Sequence, residues 1–181
     1  MLLFSLCALL SSCAVLNKFY DGNQAVLMPM APPVGPSRRV VQQITAQWPD
    51  HTETLLCVLE LDKQHIAMAG LTNDGVSLFN LTYDGKTIVS DKSPLLPDSV
   101  APEIIISDLQ LVYWPVNVLQ KSLDASSWRL EVDTSHRRLF YQGTKTVEVN
   151  YLLPDAIWAK SVELINYRYN YRLQIKTISY E

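Results

Sequence analysis

Charge, histidine and catalytic signatures are what this chain has least of. Charged residues make up 18% of the 181 positions with a net charge of −3, so no basic face exists to track a nucleic-acid backbone. The three histidines, His51, His65 and His136, stand far apart beside turn signals, and no Cys-x-x-Cys occurs, which leaves no metal-ligand spacing. No Gly-x-Ser-x-Gly elbow is present. Gly143-Thr144-Lys145 lacks the glycine-rich run and following helix of a phosphate loop. Hydrolytic, metal and nucleotide chemistry are therefore not expected, and no cofactor is expected either. No run of 18 apolar residues occurs, so no segment is expected to span a bilayer. What the chain does have is apolar content, 48%, enough for one domain with an ordinary core.

The apolar content begins at once. Residues 2–10 read as the core of a secretory signal, too short for a transmembrane helix. Leu10-Ser11-Ser12-Cys13 then resembles the lipobox of bacterial lipoproteins, although no Lys or Arg precedes the apolar run as that pattern usually has. The resemblance implies that residues 1–12 are removed and that Cys13 carries the lipid. Each buried CH₂ of such an anchor contributes ~0.8 kcal/mol. Ala14, in place of Asp, implies by Gram-negative sorting rules an outer-membrane, periplasm-facing location. Cys7 leaves with the signal, so Cys57 is left without an intramolecular partner and reads as a small core residue.

Residues 13–37, with Pro29, Pro32, Pro33 and Pro36, read as a lipidated cysteine followed by a proline-rich tether. The other reading is that 26–30 pack along the domain edge. Residues 38–181 form one domain. From Arg39 the apolar period is two, and turn signals at 48–50, 62–64, 73–75 and 84–85 divide residues 39–90 into a five-strand meander. The Asp84-Gly85 pair is expected to form a tight hairpin with positive φ at both residues. The strand at 54–61 is apolar at alternate and intervening positions alike, which predicts burial of both faces under a covering element. In Pro94-Leu95-Leu96-Pro97 both leucines are expected to seat a loop on the core.

Residues 102–123 alone have helical length and spacing. Pro102 and Glu103 suit a first turn, and Pro115 breaks the pattern into two helices. Ile105, Leu109, Val112, Val116 and Leu119 are its expected core-facing residues, and it is expected to cover the early meander more than the late strands. Asp108 and Gln110 interrupt the apolar stretch, and a solvent-facing or cap position is favoured for Asp108 over a ligand contact. Strands resume at Trp128, and the last of them sets Tyr169, Tyr171, Leu173 and Ile175 on one face against Arg172, Gln174 and Lys176 on the other. The sum is a mainly β chain: a highly curved antiparallel sheet or incomplete β-barrel of nine to eleven strands, with the helical insert as lid or plug. A ligand cavity between sheet and insert would be lined by Leu56, Val58, Met68, Phe79, Ile105, Leu109, Val112, Trp114, Val116 and Leu119.

Several segments carry a resemblance that covers most of the chain after the tether: 55–62 (LLCVLELD), 70–72 (GLT), 94–97 (PLLP), 108–115 (DLQLVYWP) and 166–173 (NYRYNYRL). They resemble a family of uncharacterised Gram-negative lipoproteins often associated with aryl polyene biosynthesis gene neighbourhoods. More distantly, lipobox, meander, central helices and closing strand pair look like LolB, the outer-membrane receptor that accepts lipoproteins from the carrier LolA. Those proteins are open barrels with helical lids over an acyl-chain cavity. The resemblance implies a non-catalytic, membrane-anchored protein that binds or transfers an acyl-chain lipid, a lipoprotein or a polyene-type lipid. A periplasmic scaffold that recruits partner proteins is the alternative.

Overall fold

The computed structural model describes residues 26–96, 100–124, 126–152, 158 and 160–181. The signal segment, the lipobox with Cys13, Pro97 and the break at Pro154-Asp155 lie outside the described residues. Ten strands and two helices follow in order: β1 (Arg38–Gln47), β2 (Thr52–Leu61), β3 (Ile66–Leu71), β4 (Ser77–Tyr83), β5 (Ile88–Lys92), α1 (Pro102–Tyr113), α2 (Val116–Leu123), β6 (Trp128–Val132), β7 (His136–Tyr141), β8 (Thr144–Tyr151), β9 (Ser161–Asn166) and β10 (Tyr171–Tyr180).

The strands make one antiparallel sheet in the order β5-β4-β3-β2-β1-β10-β9-β8-β7-β6. It consists of two five-strand meanders joined where β1 pairs with β10, with Ile44 opposite Ile175. β5 and β6 are therefore the opposite edges of an open sheet, and the chain between them must cross a whole face. Ten strands laid flat would span roughly 43 Å. Two helices of 12 and 8 residues, end to end, reach only about 30 Å. The sheet curls its edges toward the insert, and its concave face holds the core.

Turn chemistry fixes the register locally. Asp62 Oδ1 accepts from the amides of Gln64 (2.6 Å) and His65 (2.7 Å), Asp84 Oδ1 from Lys86 (2.8 Å) and Thr87 (2.7 Å), and Asp133 Oδ1 from Ser135 (3.0 Å) and His136 (2.9 Å). At the Asp84 turn only Gly85 has positive φ (94°), so the expected pair of positive φ values is not formed there, because the aspartate carboxylate caps the turn itself. The two-residue loop with positive φ at both positions is Gln142-Gly143, at 48° and 82°.

Burial along β2 alternates, with Leu55, Cys57, Leu59 and Leu61 buried and Leu56 and Val58 half-exposed between them. The strand is thus covered on one face only, which corrects the expectation drawn from its composition. The loop after β5 is divided in the same way: Leu96 turns inward while Leu95 is 69% exposed.

The insert breaks at Trp114-Pro115. Trp114 is extended (φ −71°, ψ 148°), its amide still donating to Gln110 O at 2.9 Å. α1 is buried nearly all round: Ile104, Ile106, Asp108, Leu109, Gln110, Leu111 and Val112 are all inside. Ile105 and Val116, expected among its core residues, are half-buried, while Leu109, Val112 and Leu119 are fully inside. All-round burial needs a second covering layer, and the chain before β1 supplies it. Gln110 clasps Ala31 with two hydrogen bonds, the Ala31 amide to Oε1 (2.8 Å) and Nε2 to the Ala31 carbonyl (2.7 Å). Trp114 Nε1 donates to Pro32 O at 2.9 Å, and Met28 and Ala31 are buried. Of the two readings open for 26–30, packing is what the structure has. The N-terminal segment lies along α1, and its residues 26–28 border a small space with Ile104 and Ser107 of the helix and Leu139 and Val147 of the sheet.

α1 also reaches the late strands, which it was expected to cover less than the early meander. Arg137 of β7 donates to Leu111 O (2.9 Å) and Trp114 O (2.8 Å), satisfying carbonyls at the C-terminal end of the helix. Tyr151 of β8 donates to Val112 O at 2.5 Å. The β1–β10 pairing explains the difference, since it puts the last strands directly beside the first.

Candidate functional site

Between the concave face of the sheet and α1 lies an apolar cavity of about 120 Å³. The floor comes from alternate residues of five strands: Ile44 and Ala46 (β1), Leu55 (β2), Met68 (β3), Phe79 (β4), and Tyr171, Leu173 and Ile175 (β10). The roof is Ile104, Ile105, Asp108, Leu109 and Tyr113 of α1, closed at one end by Leu96 and Val100. At 100° per residue, Ile105, Asp108 and Leu109 share one side of the helix. Ser107, Gln110 and Trp114 share the opposite side, under the N-terminal segment. One side of α1 thus serves the cavity and the other is fixed to the chain before β1.

Four of the ten expected lining residues meet at this cavity: Met68, Phe79, Ile105 and Leu109. Leu56 and Val58 belong to the other face of β2, because successive strand residues point to opposite sides. Val58 borders a shallow open concavity there with Glu60, Ala67 and Val89. Val112, Trp114 and Leu119 are buried in solid core away from the cavity, and half-buried Val116 does not line it either. Lining residues not placed in the cavity come from β1 (Ile44 and Ala46), from β2 (Leu55) and from the last strand, Tyr171, Leu173 and Ile175, together with Tyr169 before it. The signal for the last group was the alternation along 169–175, one apolar face against one charged face.

Polar groups in the wall are few and mostly satisfied. Gln42, fully buried on β1, donates from Nε2 to Tyr113 Oη at 2.6 Å. Asp108 corrects the solvent-facing expectation: it is buried, and Tyr171 Oη donates to its Oδ2. Asn166 Nδ2 in turn donates to Tyr171 Oη at 3.0 Å. Burial pushes the Asp108 carboxyl up to about 7, against the pull of the Tyr171 and Asn166 hydrogen bonds. Burial also raises the Tyr113 and Tyr171 hydroxyls, so both stay protonated. Tyr169 Oη is buried in the wall without a hydrogen-bond partner.

Among the described residues, the one Ser, His and Asp cluster at the turn before β7 does not have the geometry of a nucleophilic relay. Ser135 Oγ (3.0 Å) and Asp133 Oδ1 (2.9 Å) both meet His136 at the same ring nitrogen, Nδ1, whereas a relay needs one partner on each nitrogen. Cys57 is enclosed in apolar surroundings, and burial pushes its thiol up to about 12. Among the described residues, no group of three His, Cys, Asp or Glu could hold a metal ion, and no helix is long and apolar enough to cross a membrane.

No curated protein matches the sequence. Among solved structures, the chain is similar to a LolA superfamily protein of Nitrosomonas europaea, at 10% identity and a TM-score of 0.49, covering 85% of this chain and 89% of that one. It is also similar to a candidate outer-membrane lipoprotein-sorting domain of Vibrio parahaemolyticus, at 9% identity and a TM-score of 0.42, covering 81% and 85%. Residues 39–179, from the second residue of β1 to near the end of β10, match the family described as protein of unknown function DUF3261, and the chain belongs to that family.

Proposed function

We propose that this protein is a lipid-anchored, periplasm-facing outer-membrane lipoprotein that holds the apolar chain of a lipid or lipoprotein under α1 and performs no catalysis. The observation that carries the reading is the cavity itself, about 120 Å³ walled almost entirely by apolar side chains. An apolar space of roughly 150 Å³ stays dry and takes one benzene. The cavity as it stands therefore suits the end of one acyl or polyene-type chain. Binding would draw on apolar burial at about 25 cal/mol per Å². A longer or multiply acylated ligand would need α1 to shift. Anchoring rests on the lipobox resemblance at Cys13, which also supplies the membrane as a partner.

Native mass spectrometry of the full chain, extracted from its source membrane in mild detergent, tests the reading. The expected result is a population carrying one lipid-sized adduct beyond the mass of the Cys13 modification. A clean unliganded mass with a co-purifying protein would overturn it in favour of a scaffold that recruits partners.

A further inference from the structure

Gly70 and Phe79 stand opposite each other across β3 and β4. Gly70 lies on the buried side of β3, in line with Ile66 and Met68. A Cβ at Gly70 would stand 2.2 Å from Cε1 of Phe79 and 2.7 Å from Cδ1, so the ring rests on bare glycine backbone. Gly70 is not among the glycines with positive φ. Its conformation is open to any residue, and the ring above it is what requires glycine. Phe79 borders two spaces at once: the main cavity and a cleft of about 10 Å³ shared with Ser90 and Pro102 at the β4–β5 side. Leu96, Val100 and Ile105 border both as well, so the ring is the part of the partition that the sheet contributes, below the first turn of α1.

We propose that the Phe79 ring, seated on Gly70, is the size-selecting wall of the cavity, limiting the ligand to a single unbranched chain end and setting how much of it is taken in. This rests on the chain-binding reading above and names its selectivity. Two substitutions move the wall in opposite directions. Gly70→Ala forces the ring off the strand and into the cavity. Phe79→Leu removes the ring and widens the cavity toward the edge cleft.

The test uses the full chain, a fluorescent fatty-acid probe, and displacement by saturated fatty acids of increasing length. The expected result is that the tightest-binding length shortens in Gly70→Ala and lengthens in Phe79→Leu. Each methylene excluded from the cavity should cost about fourfold in affinity. General destabilisation cannot shift the optimum both ways, and Phe79→Leu alone decides the matter if Gly70→Ala does not fold. Wild-type binding with an unmoved length profile in the folded variants overturns the wall but leaves chain binding standing. A wild-type protein that binds no probe overturns the chain-binding reading, and the wall with it.

Discussion

A carboxyl set in an apolar wall stays neutral unless a cation accompanies it, and the groups acting on Asp108 are Tyr171 and Asn166, neither of them charged. Its proton is held more tightly in the folded state than in the unfolded chain. The stabilisation this gives is full below about 3.8 and is lost as pH rises to about 7. The slope approaches at most about 1.4 kcal/mol per pH unit. Glu148 acts with the opposite sign, since its ion pair with Lys145 holds it down at about 2, and that contribution fades only as pH falls below the ordinary carboxylate range. Urea melts between pH 5 and 7 (approximately, the window the two groups leave to Asp108) should therefore show stability falling with pH, and Asp108→Asn should flatten that fall. An unchanged slope in the variant would mean that Asp108 is ionised and solvated. Gln110→Ala should destabilise by about 1–3 kcal/mol in the same melts, because it strands the buried Ala31 amide and carbonyl together. Both residues stood out in the sequence as polar breaks in an apolar run. Their partners lie 63 and 79 positions away, and no local pattern could name them.

At the scale of the element, α1 is held unevenly. Its polar anchors among the described residues all fall from Asp108 onward: Asp108, Gln110, Tyr113 and Trp114 by side chain, Leu111, Val112 and Trp114 by carbonyl. The first half of the helix has apolar contacts, and Ser107 Oγ is buried there without a partner. Opening of the cavity should accordingly begin at the Pro102 end and pivot near Asp108. Hydrogen exchange should find the amides of Ile106 and Ser107 at least about tenfold less protected than those of Leu111, Val112 and Tyr113. Uniform protection along the helix would argue for a fixed plug. The break at Pro115 was legible because a proline acts on its own neighbours, and the five-strand meander because each of its turns is closed by residues within it. The faces of β2 were not. Leu56 and Val58 are as apolar as Leu55 and Leu59, and only the sheet's curvature decides which set is enclosed.

For the whole molecule, the pairing of β1 with β10 joins two meanders into one sheet and makes the first and last strands of the sequence neighbours. The contact is long-range and left no mark in the sequence beyond a strand at each end, which is why the insert was expected to favour the early half. The proposed membrane attachment belongs to this scale too. In cells labelled with an alkyne-bearing fatty acid, wild-type protein should take up label and sediment with membranes, and Cys13→Ser should do neither. Label retained in the variant would place the anchor elsewhere. The clasp of Gln110 and Trp114 on residues 31–32 has a mechanical consequence as well. Tension arriving along the chain from upstream meets these few bonds, and through them α1, before it reaches β1, which is braced on both sides by β2 and β10. Under the anchoring proposed at Cys13, a tug from the membrane side would be felt first at this clasp and at the roof of the cavity, while the sheet beneath it keeps its shape.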